Sequence, residues 1–195
     1  MEYRGSDADL TVNRPMESEL EQVSDVLVTN YRESLKLTQR AIFFGLMLAG
    51  TVHYLEFIGE THNLPKLPFF SVEFTSLETL QITLLVLYTG AGCVAWFAIS
   101  KAFQNLNSIK STELAIAVSK YPCLAVTNFW FGALLASALL GIGATLMMSI
   151  FDFSSNYQKS LYFIIAIPFW ATLRMGGMLY SWENKIEREA GSDSN

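Results

Sequence analysis

Two groups of residues have types and spacings that could do chemistry. The first is Arg174, the one full charge in the apolar run 160–182, SLYFIIAIPFWATLRMGGMLYSW. About 20 apolar residues suffice to cross a bilayer core as a helix, and a charge at such depth is costly unless it finds a partner. No residue at similar depth in the other apolar runs is acidic. That leaves backbone carbonyls, an aromatic face such as Trp96, lipid phosphate, or a watery cavity shared between subunits. Arg174 is therefore either a structural, snorkelling arginine or the lining of an anion path. Pro168, six residues earlier, and Gly176 with Gly177 just after would supply a kink and a flexible end for gating.

The second group is His53, Glu56 and Glu60, with His62 nearby. Steps of three and four put the first three on one helical face, where His and Glu could share a divalent ion. A dimetal bundle needs matching ligands from a second helix, and no other apolar run offers a His or a buried Glu. The cluster is read as an interfacial hydrogen-bonding group with Lys159 as an available partner. No catalytic, cofactor-binding or metal-ligating residue is assigned. No hydrolase elbow, phosphate-binding loop, dinucleotide fingerprint or metalloprotease motif occurs, so the chain reads as non-enzymatic.

The elements that must position these residues are set by composition. Of 195 residues 51% are hydrophobic and 16% charged, against about 25% charged in an ordinary soluble domain. The deficit is concentrated in four apolar blocks, so the fold class expected is all-α: a polytopic membrane protein with four transmembrane helices, over about 41–58, 80–100, 126–150 and 160–181. The formal net charge of -5 argues against direct nucleic-acid binding, which calls for clustered Lys and Arg. The two cysteines, Cys93 and Cys123, are too few for a disulfide framework and read as small apolar residues. The acidic, polar start is neither a cleavable signal nor a transit peptide.

In chain order, 1–16 reads as a flexible lead. An amphipathic helix is expected over 17–40, with Ser18 and Glu21 at capping-box spacing and acids early, bases late. Its apolar positions Leu20, Val23, Leu27 and Tyr31 recur at helical intervals. They would either pack on the bundle or dock copies of the chain or a soluble partner. Thr75 and Glu78 have the spacing of a second capping box, and 113–118 is helix-like. In the third run Ala133, Ser137, Gly141 and Thr145 recur every four residues, the small-xxx-small pattern of closely packed membrane helices. Packing within the bundle is the first expectation for that stripe, and a contact between copies the second. The membrane domain spans 41–182 and a charged tail 183–195.

Lys and Arg in flanking segments number eight on one side (Arg32, Lys36, Arg40, Lys101, Lys110, Lys120, Lys185, Arg188) and two on the other (Lys66, Lys159). That bias predicts that both termini are cytoplasmic. In the layout of Ser18 to Trp182 the chain resembles the four-span membrane subunit of the Kiwa anti-phage system. The resemblance implies a homo-oligomer in a bacterial inner membrane, coupled to a soluble effector. The reading is a non-enzymatic membrane subunit, in contact with lipid, that oligomerises and scaffolds or senses for a cytosolic protein partner. The alternative is a small oligomeric ion channel or transporter with Arg174 lining its path.

Overall fold

The computed structural model describes residues 13–58, 76–151 and 160–192. Within them the order is α1 (Asn13–Ile58), α2 (Leu77–Ser108), α3 (Thr112–Ser119), α4 (Phe129–Ile150), a 3-10 segment (Ser160–Ala166) and α5 (Ile167–Ser192). Among the described residues there is no strand. Among the described residues three helical stretches are long and apolar enough to cross a membrane: Glu78–Ser108, Phe129–Ile150 and Phe163–Ile186. The expectation of four is thus met by three. The remaining run, 41–58, is the end of α1, and its side chains are described only to Leu48 and at Thr51.

The amphipathic helix and the first apolar run are one rod of 46 residues, about 69 Å long at 1.5 Å per residue. As described it runs from Asn13 with Ser18 inside it, and it passes Arg40 straight into the apolar run without a break. Nothing between Asn13 and Ile58 breaks the ladder, because the only Pro is Pro15, in the first turn where its missing N–H is harmless. The second cap shifts by one residue. Ser76 rather than Thr75 caps α2, its hydroxyl accepting from the Thr79 amide at 3.2 Å. Asn128 caps α4 by accepting from the Phe131 amide at 2.9 Å.

The most extensive packing is of α1 on α2, followed by α2 on α5 and α4 on the 3-10 segment. The centre of this bundle is Phe169, fully buried. It fits because glycine stands on both sides: a Cβ on Gly45 of α1 would lie 2.6 Å from its ring, and one on Gly92 of α2 would lie 3.0 Å away. Tyr88 completes the cluster with its ring centroid 4.9 Å from that of Phe169. Its hydroxyl donates to the Leu139 carbonyl of α4 at 2.5 Å, so the one polar atom of the ring is satisfied across helices.

At the other end α5 presses on the segment before α4. A Cβ on Gly176 would fall inside the backbone carbonyl of Ala125. Gly176 is therefore a site of close approach in mid-helix, not a flexible terminus. Nor does Pro168 kink a continuous helix. It occupies the first turn of α5, directly after the 3-10 segment, where the Pro ring displaces no carbonyl.

Candidate functional site

The face that the bundle leaves uncovered is where the candidate residues gather. On α5 and the segment before it, Phe163, Ile167, Trp170, Arg174, Met178, Ser181, Lys185 and Arg188 are all exposed. Their steps of three and four trace one stripe along the helix. Phe169, Thr172, Leu173, Gly176 and Leu179 occupy the opposite, buried side. Arg174 therefore looks out of the protomer. Its guanidinium carbon sits 5.6 Å from the ring centroid of Trp170, one turn earlier on its own helix, and not over Trp96 of α2.

That placement has a direction. Helical side chains lean toward the helix N-terminus, and here the cation leans away from the Trp182 end, eight residues or about 12 Å distant along the axis. Snorkelling toward that end would require the opposite lean.

On α4 the stripe Ala133, Ser137, Gly141 also faces outward, with Thr145 half-buried at its far end. A Cβ on Gly141 would meet nothing within 4 Å. The expectation that these small residues pack the protomer's own bundle is thereby corrected. The bundle takes the other side of α4, through Leu135, Leu139, Gly143 and Leu146. Gly143 is the residue where close approach is used, its Cβ position lying 3.0 Å from Ile165 and 3.2 Å from Ala166. Both hydroxyls of the outward stripe spend their protons within α4: Ser137 donates to the Ala133 carbonyl at 2.8 Å and Thr145 to the Gly141 carbonyl at 3.0 Å.

The expected docking positions on α1 divide. Val23 is exposed, as is Val26, while Leu27 is partly buried against the core. Tyr31 is no docking residue, since it is fully buried. Its hydroxyl has no hydrogen-bond partner among the described residues, and burial, with Cys123 and Glu183 nearby, pushes its pKa upward. The Leu20 side chain lies outside the described residues, as do those of His53 and Glu56 and all of Glu60, so that polar cluster is not placed. Among the described residues no group of three or more His, Cys, Asp or Glu could hold a metal ion.

Cys93 is exposed on α2 and Cys123 is buried before α4, each a free thiol. Burial raises the Cys123 pKa, and its thiol points at the Leu35 carbonyl, 3.6 Å away. Sequence reasoning missed the Phe169 wedge and the Gly176 contact. Gly45, Gly92, Gly143 and Gly176 in four different helices were the available signal, but spacing within one helix does not say which large residue on another will meet them.

Apolar helices with large hydrophobic residues on the outer face, among them Phe97, Trp130 and Leu134, define the class as an α-helical membrane protein. No protein-family model, curated protein or solved structure matches the chain.

Proposed function

We propose that this chain is a non-enzymatic membrane subunit that self-associates in the bilayer and presents its cytoplasmic helices to a soluble protein. In this reading the end of α1 supplies the fourth span, both termini are cytoplasmic, and the membrane is a bacterial inner membrane. The resemblance of its layout to the Kiwa membrane subunit, read from the sequence, suggests anti-phage defence as the setting.

The observation that carries the proposal is the division of α1. From Tyr31 onward it is anchored by Tyr31, Leu35, Ile42 and Leu48, all buried. Before Leu27, which with Val28 still packs on the core, the same helix continues with Val23 and Val26 each 58% exposed, an arm with apolar residues left for another surface. Deleting residues 1–26 removes the exposed arm and keeps the part that packs on the core, which starts at Leu27 and Val28. Partner proteins should then fail to co-purify from mild detergent. If they still co-purify with the truncated protein, the arm is not the docking element.

The exposed position of Arg174 keeps a second reading in play, a channel whose path is shared between copies. Reconstituted vesicles would then conduct, and conductance would vanish in Arg174→Gln but persist in Arg188→Gln.

A further inference from the structure

We infer that Arg174 and Trp170 of one copy seat on the Ala133–Ser137–Gly141 face of α4 in the next copy, joining copies head to tail through two different faces. The inference rests on the self-association proposed above and specifies where it occurs.

The first argument is the cost of leaving Arg174 as the single chain leaves it. A charged residue near the middle of a spanning helix normally faces protein or a watery cavity. Here it is exposed on the lipid side of the bundle and held over Trp170, leaning into the span. A neighbouring protein surface removes that exposure.

The second argument is depth. Gly143 of α4 meets Ile165 and Ala166 just before α5, and the two helices run antiparallel from there. Both rise 1.5 Å per residue, so moving eight residues along α5 from Ala166 to Arg174 corresponds to moving from Gly143 back to Leu135. The same count places Trp170 level with Leu139. Ser137 lies midway between these levels. Copies inserted with the same sidedness and related by an axis along the membrane normal keep every depth, so Arg174 of one copy reaches the Ser137 level of its neighbour.

The third argument is donor and acceptor matching. A guanidinium has five N–H donors and no acceptor. Ser137 has already given its proton to Ala133, so what its oxygen has left are lone pairs. One turn further along α4, Gly141 leaves open space, which lets a neighbouring helix come close. Two different faces joined in this way form a heterologous contact, which closes into a ring when the rotation permits.

The test uses the full-length chain in its membrane with Cys93→Ser, so that buried Cys123 is the only native thiol. Two differently tagged copies are co-expressed, one with Ile167→Cys and one with Gly141→Cys, and an oxidant is added. The count that aligns Arg174 with Leu135 puts Ile167 level with Ile142, beside Gly141. A disulfide-linked pair carrying both tags is expected in the mixture, with little adduct when either variant is expressed alone. Arg174→Gln on the copy bearing Ile167→Cys should lower the adduct roughly threefold, the scale of an average interhelical polar contact in a membrane.

Three results overturn the inference. One is equal adduct from a single variant, which means like faces meet. Another is adduct unchanged by Arg174→Gln, which leaves the arginine to lipid phosphate. The last is no adduct at all. In that last case native mass spectrometry separates the two readings: several copies per particle sinks only this interface, whereas one copy sinks self-association too. Gly141→Leu is the second variant. Its side chain enters open space in the protomer, so helicity and thermal unfolding should be unchanged while the copies separate.

Discussion

Gly176 of α5 lies so close to Ala125 that the Cβ of any other residue would occupy the Ala125 carbonyl. The obstacle is backbone and cannot swing aside as a side chain could. This contact ties α5 to the segment ahead of α4, next to Cys123, which in turn reaches back to the Leu35 carbonyl of α1. Three parts of the chain are thus held at one end of the bundle by a missing side chain.

Gly176→Ala should therefore destabilise the protein strongly, with a loss of about 1–3 kcal/mol or more, as for an overpacked core. Gly177→Ala is the control. Nothing lies within 4 Å of its Cβ position, and Ala favours the helix, so unfolding should be unchanged or slightly later. Thermal unfolding of the two variants in the same detergent checks the contrast, and equal behaviour would mean the contact does not constrain the fold.

Phe169→Ala should be the most damaging substitution at the centre, since the ring fills the space that Gly45 and Gly92 leave. A cost of about 3–5 kcal/mol is expected for removing a buried aromatic side chain. Phe169→Leu should recover part of it. Denaturant titration followed by tryptophan fluorescence provides the measurement.

Tyr88→Phe should cost little, about 0.6 kcal/mol, the average for interhelical hydrogen bonds measured in membranes. The Leu139 carbonyl loses a cross-helix donor but keeps its place in the α4 ladder. Tyr88→Ala should cost several times more, because the ring packs on Phe169. A larger loss in Tyr88→Phe than in Tyr88→Ala would contradict this division between hydroxyl and ring.

Tyr31→Phe should stabilise the protein at neutral pH, since it removes a buried hydroxyl that lacks a partner, a group whose burial costs about 1–3 kcal/mol. The pH dependence has a definite sign. Burial raises the Tyr31 pKa in the folded state above its ordinary value of 10.0, so the folded state holds its proton while the unfolded state loses one. Stability is undiminished below pH 10.0 and falls as pH rises above it. Alkaline unfolding should begin at higher pH in Tyr31→Phe than in the parent chain.

How much of this was legible in the residues can be followed at single positions. The all-α class and three of the spans were, because a long apolar run has few alternatives once hydrocarbon is the solvent. The short helix α3 was legible from its pattern near Glu113. The direction of the stripe through Gly141 was not. Its spacing identified a face for close packing, but Gly143 lies only two positions away on α4 and is the one the protomer uses. Tyr31 fell into the apolar stripe of an amphipathic helix, and periodicity cannot separate a residue that meets its own bundle from Val23, which does not.

Taken alone, then, the amino-acid order determined which segments form helices and which of them are apolar enough for a membrane, since both follow from local composition and from backbone groups that must be paired within each segment. Which side of each helix is enclosed was decided only in three dimensions. The fit of Phe169 between Gly45 and Gly92, and of Gly176 on Ala125, sets the rotation of α5 about its own axis. That rotation turns Arg174 outward, because a helix packing one side at van der Waals distance must present the residues opposite to whatever surrounds the bundle.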